Sequence, residues 1–177
     1  DFSEYIKLAE NTAFRFIISN TTEAGIAFDA NDTPETKPPK TFPAKLTMLL
    51  YRRYKYFNGN TEKGFIIMPC ELIDNNADAL KDAVLKYCSH WKLENEFIEW
   101  IEKSNTFCNT LVDRIVPGFN PESSIEIHDS KNFADKLCVD AEQFHLWVIE
   151  GPDWIKKEFP ADKANLNVLF VNDVKPY

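Results

Sequence analysis

Apolar residues recur along this chain in two rhythms. From Pro43 to Phe57, the positions Leu46, Leu49, Leu50, Tyr54 and Phe57 keep the three-to-four spacing that gathers side chains on one side of a helix. Leu80, Ala83, Val84, Tyr87, Cys88 and Trp91 repeat that spacing and predict a second amphipathic helix. The other rhythm is the short unbroken run. Phe14-Arg15-Phe16-Ile17-Ile18-Ser19 and Gly64-Phe65-Ile66-Ile67-Met68-Pro69-Cys70 are rich in aromatic and β-branched residues, as strands buried on both faces require. Residues 144 to 150 and Val168 to Val171 predict further strands, and Ser3 before Tyr5, Ile6, Leu8 and Ala9 predicts the capped start of a helix. Four prolines between residues 29 and 43 predict a surface loop. Strand, helix, strand, helix with polar strand ends is the pattern of parallel βαβ units, so the expected class is α/β with a mostly parallel sheet flanked by helices.

One segment disturbs this order. Residues 94 to 116 read as a third helix with a buried stripe of Phe97, Ile101, Cys108, Leu111 and Ile115, yet Asn105, Thr106, Asn109, Thr110 and Asp113 are poor helix formers in its interior. At about 100° per residue, Asn105, Asn109 and Asp113 would share one flank of that helix and Arg114 would project from the other side. Such a flank either borders a cleft or holds polar groups satisfied at a domain seam.

In open parallel sheets ligands sit beyond the carboxyl ends of the strands. That directs attention to residues 20 to 25 (Asn20-Thr21-Thr22-Glu23-Ala24-Gly25) and to residues 69 to 76. Both loops fit contact with a cofactor or substrate; the alternative is that their Asn, Thr and Asp residues close turns and cap the next helix.

Composition narrows the function. A chain of 177 residues supports one packed core. The net charge of −8 opposes binding to nucleic acid or anionic lipid, and its densest cationic runs, around Arg52-Arg53 and Lys156-Lys157, suit solvated helix faces. No run approaches the roughly 18 apolar residues of a membrane span. Cys70, Cys88, Cys108 and Cys138 form no CxxC pair and sit in apolar surroundings, which favours reduced thiols in the cytoplasm; His90, His128 and His145 lack metal-ligand spacing, so no metal is expected. The five glycines, Gly25, Gly59, Gly64, Gly118 and Gly151, leave no GxGxxG turn, which a dinucleotide fold needs to bring backbone against pyrophosphate.

The disturbed segment also carries a resemblance. Asn105-Thr106-Phe107-Cys108-Asn109-Thr110-Leu111-Val112-Asp113-Arg114-Ile115-Val116-Pro117-Gly118 resembles the N-S-x-V-D-R-I-x-P segment of the polyol-specific long-chain dehydrogenases, the mannitol dehydrogenase family. Residues 18 to 26, 43 to 47, 67 to 74 and 171 to 177 resemble the same family in the same order. The resemblance implies part of a Rossmann-like NAD-binding domain in an NAD-dependent, zinc-independent enzyme that reduces the ketone of a small sugar acid. It implies further that residues 1 to 177 are a single incomplete domain, the latter part of the nucleotide-binding domain. The glycine-rich loop would precede it, and a helical domain opening with Lys-x4-Asn-x2-His, the proton-transfer group, would follow. On that reading the chain alone contains no catalytic residue and is inactive, and its partners are the missing segments of its own parent.

The resemblance places Asn20, Thr21, Thr22 and Glu23 near the cofactor. It makes Asn109 and Asp113 candidates for substrate hydroxyls, and Arg114 for the substrate carboxylate through its planar fork. Mannitol dehydrogenases carry Ser-Cys-Asp-Asn where this chain has Pro69-Cys70-Glu71-Leu72, so the oxyanion role of that Asn does not transfer to Leu72. Glu71 or Asn75 is left to meet substrate there. The competing reading is a non-catalytic α/β module that binds a ligand at the same two loops without redox chemistry.

Overall fold

The computed structural model describes residues 1–131, 135–159 and 161–177, and the side chains of 127–129, 131 and 162 fall outside the description, His128 among them. Helix α1 (Phe2–Lys7) leads through a 3-10 turn into strand β1 (Phe16–Ser19); α2 (Phe42–Tyr56), β2 (Ile66–Pro69), α3 (Asn76–His90) and α4 (Asn95–Ser104) follow. Thr41 opens α2 as its cap, its hydroxyl accepting from the Ala44 N–H, and Pro43 sits in the first turn, where a missing N–H costs nothing.

β2 lies between β1 and β3 (Thr106–Phe107), all parallel, with Ile66 facing Phe16 on one side and Thr106 on the other. Its central place explains its composition, because every residue of β2 is buried. Successive side chains enter opposite cores, as the two-residue period of a strand demands. Ile67 joins Leu46, Leu50, Leu80, Val84, Phe97 and Ile101 beneath α2, α3 and α4, whereas Ile66 and Met68 join Cys108, Ile149 and Ile155 on the other face. Burying each such side chain contributes about 1.5 to 3 kcal/mol. β1, expected to be buried on both faces, is an edge strand of this sheet, and Ile18 remains 52% exposed.

The third helix is the main correction. α4 ends at Ser104, and Asn105 is already extended. The Asn105 side-chain amide donates to the carbonyls of Trp100 and Ile101 at 3.3 and 3.4 Å, while its Oδ1 accepts from Phe65 N at 2.9 Å. One side chain thus closes the helix and ties it to the start of β2. Gly64 makes that approach possible, since a Cβ there would lie 1.6 Å from the Ser104 carbonyl oxygen.

Beyond Asn105 the chain runs as strand. Cys108 N donates to Ile67 O, and the path then leaves β2 as β4 (Thr110–Asp113), antiparallel to β7 (Leu146–Glu150), which in turn pairs in parallel with β8 (Val168–Val171). The stretch 106 to 113 therefore joins two three-stranded sheets. Between β4 and β7 lie β5 (Gly118–Phe119), α5 (Pro121–Lys131) and β6 (Val139–Asp140), with β5 and β6 forming an antiparallel ribbon; the short α6 (Ile155–Glu158) follows β7. Ile115, expected in a helical core, is 65% exposed.

Candidate functional site at the carboxyl ends of the strands

β1 and β2 end side by side at Ser19 and Pro69, and the ladder between them closes with Cys70 N donating to Ser19 O at 2.7 Å. The two loops leave from this edge. In the first, a turn joins Gly25 N to Thr22 O at 2.9 Å, and Thr22 adopts φ of +79°, an uncommon conformation for a β-branched residue. Gly25 is required here because a Cβ would collide with the Thr21 hydroxyl.

The four residues expected near a cofactor divide into two kinds. Thr21 faces inward: its N–H and its hydroxyl both donate to Glu71 Oε1, at 3.0 and 2.8 Å. Asn20, Thr22 and Glu23 are exposed and line an open cleft of about 480 Å³ together with Ala24, Cys70, Leu72, Val112 and Arg114.

The residues expected at a substrate divide the same way. Glu71 is buried and also accepts from the Ser19 hydroxyl at 3.0 Å. Asn109 is buried too. Its Oδ1 accepts from Ala77 N and Asp78 N at 2.9 and 3.2 Å, capping α3 from the link between β3 and β4, and its amide donates to Asp78 Oδ2 and Glu150 Oε1. Asn75, the residue preceding α3, makes no side-chain cap bond, so Asn109 takes over that task. Asp113 and Arg114 are exposed. No helix runs through these residues, and Asn109 is buried against the start of α3 whereas Asp113 is exposed in β4, which corrects the helical picture of the two along a single polar flank; Asp113 and Arg114, consecutive in extended chain, point to opposite faces. Arg114 reaches the cleft beside Val112 while its Nε donates to Glu142 O at 3.2 Å.

A second cleft, of about 350 Å³, lies on the other side of the Glu71–Asn75 loop and is lined by that loop with Thr110, Leu111, Val174, Lys175 and Tyr177. Leu72 borders both clefts and is 72% exposed. Its position was not anticipated, although an apolar residue inside a polar strand-end loop was the available signal. The thiols are free, and burial pushes Cys70 up to about 11 and Cys88 and Cys108 up to about 12, which leaves them protonated at neutral pH. Among the described residues, no group of three or more His, Cys, Asp or Glu is placed to hold a metal ion, and no helix is long and apolar enough to cross a membrane.

Residues 1–163 match the mannitol dehydrogenase Rossmann domain. The chain belongs to that family. Over its full length it is 53% identical to the altronate oxidoreductase of Bacillus subtilis (strain 168), and over 99% of its length 47% identical to that of Cronobacter sakazakii (strain ATCC BAA-894), covering 37% and 36% of those proteins. The chain thus spans little more than a third of the relatives it matches. Among solved structures, a D-sorbitol dehydrogenase in substrate-free form superposes with a TM-score of 0.78 at 28% identity, over 99% of this chain and 37% of the other. A Pseudomonas fluorescens mannitol 2-dehydrogenase ternary complex with NAD and D-mannitol superposes with a TM-score of 0.77 at 23% identity, over the whole of this chain and 37% of the other, a likeness of fold. This mannitol dehydrogenase family domain is a Rossmann-type α/β structure whose strand-end loops frame the clefts described above.

Proposed function

We propose that the chain is the latter part of the nucleotide-binding domain of an NAD-dependent altronate oxidoreductase, which interconverts tagaturonate and altronate by hydride transfer. The observation that carries this reading is one cleft in which the exposed loop residues Asn20, Thr22 and Glu23 face the side of β4 that presents Arg114. The family membership and the altronate oxidoreductase relatives support it.

The residues present fit one end of the cofactor. Asn20, Thr22 and Glu23 make no side-chain hydrogen bond among the described residues and can meet ribose or carboxamide groups at the end of a parallel strand. The chain's five glycines supply no pyrophosphate loop. When bound, NAD(H) exchanges a hydride with the ketone carbon. This chain's own residues position and orient: Arg114 offers a fork to the substrate carboxylate, while Asp113, on the opposite face of the extended chain, lies outside the cleft. Glu71 and Asn109 hold the loops that frame the site. Four free thiols, three with raised pKa values, fit a reducing compartment, and the cytoplasm is the proposed location.

The test is made on the full-length parent. NADH absorbance should fall on adding tagaturonate and not on adding the neutral ketose fructose. No oxidation of NADH with tagaturonate would reject the assignment.

A further inference from the structure

Glu71 is the most enclosed carboxylate at the strand ends, 2% exposed, and the described residues place no cationic side chain within ion-pair distance of it. Three donors satisfy it instead. The Ser19 hydroxyl reaches Oε2 at 3.0 Å, and the N–H and hydroxyl of Thr21 reach Oε1 at 3.0 and 2.8 Å. All three belong to the end of β1 and its loop, whereas Glu71 belongs to the loop after β2. Its backbone is held as well: Glu71 O accepts from Ile73 N at 2.8 Å and from Asn76 Nδ2 at 3.0 Å. One residue therefore clamps the loop bearing Asn20, Thr22 and Glu23 to the loop bearing Leu72 and Asn75, and these loops border the two clefts.

We propose that Glu71 is a positioning residue, which sets the cofactor-side loop and the substrate-side loop in register and so couples the binding of both ligands without touching either. The inference rests on the functional reading above and deepens it. An unpaired buried carboxylate is costly unless its oxygens are fully bonded. Here the bonding comes entirely from the neighbouring loop, through charge-assisted hydrogen bonds, which are about twice as strong as neutral ones. A surface turn held that way keeps its shape before a ligand arrives, and preorganisation of this kind appears as affinity.

The experiment uses the full-length parent with Glu71→Ala, Glu71→Gln and, as a control of stability alone, Trp100→Phe. Trp100 is a buried residue of α4 that lines neither cleft, with its Nε1 donating to Asn60 O at 3.0 Å. NADH affinity is read by fluorescence titration, which needs no turnover; KM for tagaturonate and melting temperature are read alongside. Glu71→Ala should weaken NADH binding tenfold or more and raise KM for tagaturonate by a similar factor. Glu71→Gln, which can still accept from Thr21 through its amide oxygen and donate to the Ser19 hydroxyl, should recover most of both. Trp100→Phe should lower the melting temperature and leave both constants within twofold. If Glu71→Ala lowers the melting temperature while NADH affinity and KM stay at the wild-type values, the clamp is merely structural and the inference is overturned. A wild-type parent that binds NADH without reducing tagaturonate would reject the substrate assignment alone, and the NADH titration of Glu71→Ala would still decide the role of Glu71.

Discussion

Asn76 pairs with Thr110 as one strand residue pairs with another. Asn76 Nδ2 donates to Thr110 O at 2.9 Å, and Asn76 Oδ1 accepts from Thr110 N at 3.0 Å. Both residues are buried, and the Thr110 hydroxyl donates to the Pro69 carbonyl at 2.5 Å. At the point where β4 diverges from β2, a side-chain amide thus completes the backbone bonding that a neighbouring strand would supply.

Replacing Asn76 tests this join. Asn76→Ala leaves the N–H and C=O of Thr110 without their partner inside the fold, a loss of about 2 to 3 kcal/mol. In a domain of this size that is a fall of roughly 4 to 12 °C in melting temperature. Asn76→Asp should be worse despite its near-identical shape, because a carboxylate cannot donate to the carbonyls of Glu71 and Thr110. Equal or smaller loss for Asp than for Ala by thermal denaturation would show that the amide donor is unimportant.

Arg53 is 1% exposed and has no carboxylate partner among the described residues. Its guanidinium donates to the carbonyls of Lys63, Ala9, Asn11 and Phe14 and lies over the Phe65 ring, tying the N-terminal segment to α2. Burial, with the nearby Arg15 charge, lowers its pKa. Arg53→Lys keeps the charge but cannot span four carbonyls, so urea unfolding should show a loss of about 2 to 4 kcal/mol. A change below about 0.5 kcal/mol, the range of ordinary surface substitutions, would contradict that account.

Asp32 gives the stability a pH dependence. Burial pushes its carboxyl up, but the N–H groups of Lys40 and Thr41 and the Thr41 hydroxyl outweigh that and hold it below the ordinary 3.8. The unfolded chain takes up the proton more readily than the folded one. Its contribution is therefore fully present above about pH 3.8 and is lost as pH falls through the lower folded value. Melting temperatures of wild type and Asp32→Asn should differ most above pH 5 and converge on acidification; a gap independent of pH would remove Asp32 from the explanation.

Arg114 and Asp113 are exposed, so substitutions there should spare stability, and only at Arg114, which reaches the cleft, should they change kinetics in the full-length parent. Arg114→Lys loses the fork and should raise KM for tagaturonate roughly tenfold or more. Asp113 lines neither cleft and serves as the neighbouring control, so Asp113→Asn should leave kcat/KM within about twofold. Steady-state kinetics beside melting temperatures make the comparison; an unchanged KM in Arg114→Lys would take Arg114 out of the site.

Much of the architecture is legible in the chain itself. The helical spacing of Leu46, Leu50, Leu80 and Val84 and the unbroken run of β2 are local consequences of burial, so they predict α2, α3 and the central strand whatever their partners. The polar strand-end loops follow too, since Asn20 and Thr22 do line a cleft. Only the tertiary structure decides the segment from Asn105 to Arg114. Cys108 and Leu111 fit helical spacing as well as they fit a strand, and what extends the chain is distant: Ile67 O for Cys108 N, Ile149 as the partner of Thr110, and the bare N-terminus of α3 for Asn109. Partners 32 to 41 residues away leave no periodicity to read. For the same reason sequence alone does not separate Glu71 and Asn109, whose polar atoms are committed inside the fold, from Asp113 and Arg114, which face solvent: burial of a polar side chain depends on donors and acceptors that the fold brings to it.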